Sequence, residues 1–570
     1  MNMKRFLILL LCVCTLLVGC NEGDVQTTDT EPVGTAPQTQ TSTSITAVSA
    51  GKPLLKICCS EYAYLSSAEN MQKLLAKKTG VTFEIVQSAD KLDGAGAIFV
   101  GFVDGRDEIA DIFKNNISYN GYGAVLDGGN VYICGYSEKW IGVAAQMFAN
   151  SLKDSGIDKK AEGGVSVVFD ASMAFVNNPE YEIASPKLLG VGFADYSIAI
   201  AAKADKQLKA MINNIIVKEL GEQTGAYIEV VSDAADARDR AITVELNEAM
   251  ELLDYTVKSK DGNISVKVGG MIAAYAAFEN IKQMLTSDTS SGISLSANAA
   301  DTFLAALPVS KTEGSSLRIM SANVMGAGLE EDGQCGTEFR SALLAEYILA
   351  MNPDSVGLQE YNSKNRQYLG SRISSKYDTV SFTGYGVNWI STIYRKDKYT
   401  AIENKMISLK VDGGQDYYFS WVALKDKNTG EIYIHGNLHL DYRGDTYRAK
   451  QAELVNAELA NVIQKYPNAI IAVTGDYNCK WSGSVLQKLV EGVDMTDAAV
   501  AAPDGKADNK HKSYYKLCTL GKMETGSYDA IDHVLVKESV SDVKLHKIIY
   551  DKLICHASDH YPVVVDIAKK

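Results

Sequence analysis

Histidine is absent from the first 434 residues of this 570-residue chain. All seven stand in the last quarter, at His435, His439, His511, His533, His546, His556 and His560. Imidazole is the one side chain with an unperturbed pKa near physiological pH, so the long first part is expected to do something other than acid–base work. Basic residues are also short: 56 Lys and Arg stand against 70 Asp and Glu, a net charge of −14. That excludes a coat protein for nucleic acid, which needs a basic stripe. It leaves room for an enzyme that meets phosphate through a metal and a few local cations. The acidity lies mainly upstream, since the part from Leu317 onward carries only −2. The ten cysteines are irregularly spaced and form neither a disulfide framework nor a zinc motif. The balance of 46% hydrophobic and 22% charged residues is that of a globular chain, and its length calls for roughly three or four domains.

Met1-Asn2-Met3-Lys4-Arg5 is a short positive start, followed by an apolar run from Phe6 to Val18. A run of about 13 residues is too short for a comfortable membrane span and suits a secretory signal. It ends in Leu17-Val18-Gly19-Cys20, which resembles the bacterial lipobox. The resemblance implies cleavage before Cys20 and a diacylglycerol on its thiol; the alternative is an ordinary signal peptide with Cys20 incidental. Residues 1–20 are thus expected to be a lipoprotein signal. Residues 21–52, rich in Thr, Ser and Gln, would be a flexible linker. The mature protein is expected outside a bacterial cytoplasmic membrane, held there by lipidated Cys20. Seven cysteines then remain, at 58, 59, 134, 335, 479, 518 and 555. Cys58-Cys59 reads as a buried strand pair, and one bridge in the C-terminal part stays open.

Residues 53 to 308 look duplicated. Lys78-Thr79-Gly80-Val81-Thr82-Phe83-Glu84-Ile85-Val86 matches Gln223-Thr224-Gly225-Ala226-Tyr227-Ile228-Glu229-Val230-Val231. Each follows a helix-period stretch that a Thr-Gly pair ends, as a glycine C-cap would. Alternating hairpins follow in both copies, around Gly129-Asn130 and Gly262-Asn263, and each runs into an Ala-rich helix. Two tandem small α+β domains are expected, at 53–175 and 188–308. The pattern is similar to the noncatalytic N-terminal domains of some secreted glycoside hydrolases, which would imply contact with glycan or cell wall. The segment holds no paired catalytic carboxylates or Gly-rich phosphate loop, and a scaffold is its simplest reading.

The last domain, 309–570, alternates β runs with amphipathic helices. Asn323, Glu360, His439, Asp476 and Asn478 end apolar strands, and Asp559-His560 immediately precedes one. A core strand needs no acid or amide at its tip, so these endings imply one polar site at a sheet rim. Oxygen donors without a Cys/His cluster favour Mg²⁺, Mn²⁺ or Ca²⁺ over zinc.

These pieces, in this order, resemble the endonuclease/exonuclease/phosphatase superfamily, the deoxyribonuclease I-like fold. They are the Asn-ended first strand, Leu358-Gln359-Glu360, and Asn437-Leu438-His439-Leu440-Asp441 with Arg448 and Gln451 after it. Gly475-Asp476-Tyr477-Asn478, Ile531-Asp532-His533 and Ser558-Asp559-His560-Tyr561-Pro562 complete the set. The resemblance implies a four-layer α/β (α+β) sandwich, with two mixed sheets face to face and helices outside. It also implies that Asn323, Glu360 and Asp559 hold the metal. Asp476 and Asn478 would position water and phosphate. His560, oriented by Asp532, would act as general base or stabilise the phosphorane, and His439 would contact the phosphate and help the leaving oxygen. The remaining histidines read as structural or surface residues.

The same motifs occur in nucleases, sphingomyelinases and sugar- or inositol-phosphate phosphatases, so they leave the phosphoester open. Lys364, Arg366, Arg372, Lys480 with Trp481, and Lys510-His511-Lys512 with Tyr514 and Tyr515 are candidate nucleic-acid contacts. A nuclease is the leading expectation, a phospholipid or sugar-phosphate esterase the next. A glycan-binding lipoprotein with an idle catalytic domain is the third.

Overall fold

The computed structural model describes residues 44–285, 292–303, 307–326, 336–382, 389–480, 483–503 and 530–570. The expected signal peptide with Cys20, most of the linker, Cys335, Trp481, His511 and its neighbours, and Cys518 lie outside these residues. Among the described residues no helix is long and apolar enough to cross a membrane. The chain forms two compact units, one reaching to Ile117 and including Gly121–Asn178, the other comprising Ser118–Asn120 and Pro179–Lys570.

The first unit contains a six-stranded sheet in the order Ile85–Val86, Leu55–Cys58, Gly96–Val100, Asn130–Gly135, Tyr122–Asp127, Phe175–Asn177. The second unit contains another, ordered Glu229–Val231, Tyr196–Ile200, Arg240–Leu246, Asn263–Val268, Asp254–Lys260, Ser294–Asn298. In both, the first four strands pair in parallel and the last three antiparallel. The Thr-Gly helix ends repeat atom for atom. Gly80 and Gly225 take φ of +73° and +71°, and their N–H groups donate to Ala76 O and Gly221 O. Each preceding threonine Oγ1 donates one turn back, to Leu75 O and Leu220 O, and accepts from the second residue after it. Cys58 and Cys59 are both buried, and burial pushes the Cys59 thiol up to about 11.

In the second unit the Tyr196–Asn298 sheet and the following domain share one continuous apolar core, from Leu188 to Ile567. Glu346, on the helix Thr337–Met351, ties them together by accepting from Met271 N (3.0 Å) and Ile272 N (3.1 Å). Those amides open the helix Met271–Leu285, where N–H groups lack intrahelical partners.

From Leu317 onward two six-stranded sheets form. One is ordered Tyr377–Thr379, Ile390–Arg395, Ser355–Gln359, Leu317–Asn323, Val563–Lys569, Ser541–Ile548. The other is ordered Tyr399–Ser408, Tyr418–Asp426, Ile432–His439, Ile470–Asp476, Asp532–Lys537, Met495–Asp497. The central pair of each is parallel and every other pairing antiparallel. The sheets meet across a polar seam. Gln359 Nε2 donates to Asn437 Oδ1 (2.7 Å), and His435 bridges Ser355 Oγ (2.6 Å) and Thr474 Oγ1 (2.9 Å). Gly357 permits this approach: a Cβ there would stand 1.9 Å from Thr474 Oγ1. Two mixed sheets facing each other, with Thr337–Met351 and Ser363–Ile373 packed together, and Asp445–Lys465 against Ser484–Val490, fit the deoxyribonuclease I-like fold.

Candidate active site

Strand direction explains how distant acids meet. Leu317–Asn323 and Ser355–Gln359 run parallel, so Asn323 and Glu360 leave the same edge. In the facing sheet Ile432–His439 and Ile470–Asp476 also run parallel, which makes His439 and Asp476 direct partners, and Asp532 pairs antiparallel with Asp476. The rim thus depends on the parallel central pairs together with the antiparallel step to Asp532.

At that rim Asn323 Nδ2 donates to Glu360 Oε1 (3.2 Å) and Asp476 Oδ2 (3.1 Å), while its Oδ1 accepts from Met325 N (3.0 Å). In this orientation the amide offers N–H groups to the carboxylates, and its oxygen is turned toward backbone. Glu360 Oε2 accepts from Gly326 N (2.8 Å). His439 Nε2 lies 3.4 Å from Asp476 Oδ2 and 3.1 Å from Asn478 Nδ2. His560 Nε2 lies 3.7 Å from the same Asp476 oxygen, and its Nδ1 is 2.8 Å from Asp532 Oδ2. Ser558 Oγ donates to Asn323 O (2.7 Å) and sets the Asp559-His560 turn against the first strand. Three non-glycine residues here hold left-handed backbone: Met325 (φ 53°), Glu360 (φ 56°) and Asn478 (φ 49°). Such strain persists where surrounding contacts over-determine it, and it concentrates at functional sites.

Electrostatics follow from crowding. Burial raises the Asp476 and Asp559 carboxyls above the usual range, against the pull of His560. Burial would also raise Glu360, but His439, His560 and its hydrogen bonds outweigh it and hold it low. Burial alone would lower His560; Asp532, Asp476 and Asp559 reverse this and hold the imidazole well above its ordinary range.

A divalent cation fits this donor set. Ligand atoms of Glu360, His439 and Asp476 lie within 4.8 Å of one another, as do those of Asp476, Asp532 and His560. Several buried carboxylates sharing one space repel each other unless a proton or cation stands among them.

All eight residues expected from the sequence are described. Glu360, His439, Asp476, Asn478, Asp559 and His560 line one cavity of about 370 Å³. Asn323 and Asp532 stand directly behind them. Arg448 Nη1 donates to Asp441 O (2.8 Å) and Gln451 Oε1 accepts from Asp441 N (2.8 Å), fixing the chain after His439. Two elements escaped sequence reading. His533, read as structural or surface, is buried and braces the site: its Nδ1 pairs with Asp497 Oδ2 (2.7 Å), and its Nε2 reaches Cys479 O (3.1 Å), next to Asn478. The cavity wall of Trp389, Tyr417, Tyr418 and Tyr442 was equally unforeseen, because aromatic residues in loops carry no periodic signal. His546 and His556, expected to be surface or loop residues, are a buried strand residue and a half-buried residue of the turn Ile554–His556, and burial takes His556 down to about 4. Arg372 pairs with Asp205 (3.7 Å), Arg366 lies over the Tyr361 ring (5.8 Å), and neither lines the cavity.

No protein-family model matches the chain, and no curated protein matches it. Solved structures do. A mannosyl-6-phosphatase from Bacteroides thetaiotaomicron is 22% identical, over 44% of this chain and 100% of its own, with a TM-score of 0.36. The human nocturnin catalytic domain with bound sulfate is 17% identical, over 46% and 97%, with a TM-score of 0.38. An endonuclease/exonuclease/phosphatase family protein from Bacteroides thetaiotaomicron is 21% identical, over 44% and 97%, with a TM-score of 0.37. These likenesses extend over about 45% of the chain.

Proposed function

We propose that this protein is a divalent-metal-dependent phosphoester hydrolase. One observation carries the reading: Glu360, Asp476, Asp532 and Asp559 converge with His439 and His560 at a single cleft rim. Glu360, Asp476 and Asp559 would hold Mg²⁺, Mn²⁺ or Ca²⁺, with Asn323 orienting the first two rather than ligating through its oxygen. The cation, when bound, neutralises charge on a phosphoryl oxygen. The chain's own groups do the rest. Water forms the new bond to phosphorus and loses its proton to the Asp476 carboxylate, which Asn478 N–H orients (2.9 Å). The ester P–O bond breaks in line, and His439 gives a proton to the leaving oxygen and regains one from Asp476, 3.4 Å away. His560, oriented by Asp532 (2.8 Å), stabilises the phosphorane or serves as general base.

The finer readings are proposals on sequence grounds. A lipidated Cys20 would place the enzyme on the outer side of a bacterial cytoplasmic membrane. The matching sheets and Thr-Gly ends support a duplicated pair of α+β domains, for which a glycan or cell-wall contact is the suggested role. A nuclease was the leading expectation, and the cleft aromatics are suited to stacking on bases. The same rings suit a sugar or a lipid head group. Hydrolysis of plasmid DNA, RNA, sphingomyelin, hexose phosphates and bis(para-nitrophenyl) phosphate, by wild type and His560→Ala, tests the reading. Cleavage of at least one with metal, lost in the variant, is expected; no cleavage with any divalent ion would falsify it.

A further inference from the structure

Beside the carboxylate rim the cavity is walled by four rings, Trp389, Tyr417, Tyr418 and Tyr442, with Gln415 and Asp416 between them. Trp389 is built into the site. Its ring lies so close to Gly326 that a Cβ there would stand 2.4 Å from it, and Gly326 N–H is the group that holds Glu360 Oε2. Trp389 O in turn accepts from Tyr361 N (3.0 Å), the residue after Glu360. Trp389 therefore packs against both backbone supports of the Glu360 turn, while it keeps 49% of its surface exposed. Opposite in sequence, Tyr417 packs edge-on against the His439 ring at 5.1 Å, and Tyr442 is 63% exposed.

The polar groups among these rings are an amide, a carboxylate and phenols. None of the cavity's lining residues, among those described, is lysine or arginine, and Lys410, which pairs with Asp416 at 3.0 Å, is not one of them. A polyanion is gripped by cations along its backbone, whereas a face of aromatic rings with acceptors beside it suits an uncharged ring that bears hydroxyl donors. The cavity's size, about 370 Å³, is that of a small-molecule site.

Resting on the hydrolase reading above, we infer that the site takes a phosphate ester of a single sugar ring, with Trp389 as the stacking platform that selects it. Trp389 is a binding residue here and touches no reacting atom.

The experiment compares wild type, Trp389→Ala and Trp389→Phe on a hexose phosphate, on the ringless glycerol phosphate, on a nucleoside monophosphate and on plasmid DNA, with Mn²⁺ and phosphate release as readout. Wild type should hydrolyse the hexose phosphate best. Trp389→Ala should lower kcat/KM on the hexose phosphate about tenfold more than on glycerol phosphate, the loss of one stacked face, with the difference carried by KM. Trp389→Phe should recover most of that difference. Equal loss on the ringless ester, or preference for DNA or the nucleotide, overturns the sugar assignment while leaving the hydrolase intact. If the wild-type enzyme cleaves none of the four, the hydrolase reading itself fails. Far-ultraviolet dichroism of each variant separates misfolding from lost recognition.

Discussion

Glu346 offers a stability test whose sign is fixed by the structure. Its carboxyl accepts from two amides at the start of Met271–Leu285, yet burial outweighs those bonds and takes it up to about 7. The unfolded chain ionises the same group near 4.5. A carboxyl raised on folding contributes stability that is fully present below the unfolded value and lost as pH rises through the folded one. The window is therefore pH 4.5 to about 7. At about 1.4 kcal/mol for each pKa unit, Glu346 should remove about 3 kcal/mol of unfolding free energy across it. Glu346→Gln stays neutral but keeps only one acceptor oxygen, a loss of about 1 kcal/mol. The variant should thus be slightly less stable than wild type at pH 5 and more stable by about 2 kcal/mol at pH 8, read from urea unfolding. Parallel pH dependence of the two proteins would refute the reasoning, because other titrating groups are common to both.

Four further outcomes follow from the geometry. Gly357→Ala should cost about 3 kcal/mol or abolish folding, since its Cβ meets Thr474 across the sheet seam; expression and denaturant midpoint read this. Gly80→Ala has open space and should cost only the left-handed backbone, about 1 kcal/mol, whereas Gly225→Ala also strikes the Tyr181 ring and should cost more. Asp532→Asn should lower kcat about a hundredfold with KM little changed, because it removes the partner that orients and charges His560. Removal of divalent ions with a chelator should stop hydrolysis, and Mn²⁺ or Mg²⁺ should restore it.

The strand tips were readable because an acid or amide after an apolar run has no packing reason to be there. Asn323, Glu360, His439, Asp476, Asn478, Asp532, Asp559 and His560 all reach one place, although residues as far apart as Asn323 and His560 are 237 positions distant. Thr337–Met351, apolar over most of its surface and buried on nearly every side, and Asp445–Lys465, which buries Ala452, Val455, Leu459 and Val462 at helical spacing, were legible from their apolar content. Short or polar elements were not: Ser363–Ile373 has few apolar residues, burying only Asn365, Leu369 and Ile373, and Tyr399–Ser408 buries only Tyr399 and Met406. His435 illustrates the remaining limit. Its sequence position gives only a strand face, while its neutrality, with burial taking it down to about 3, comes from an inter-sheet seam that pairs residues 80 and 39 positions away. The fusion of the second α+β sheet with the following domain was likewise invisible, because it rests on helix packing and on Glu346 rather than on any local string.

The most direct test is the rate of bis(para-nitrophenyl) phosphate hydrolysis by the full chain, with Mn²⁺ and with chelator, for wild type and Asp476→Asn. Asp476 touches both histidines and both Asn323 and Asn478, so its charge organises the whole rim. Hydrolysis that needs the metal and falls at least a hundredfold (about 10²) in Asp476→Asn is the predicted result. A rate that ignores chelation, or one that survives the substitution in a folded protein, would contradict the account.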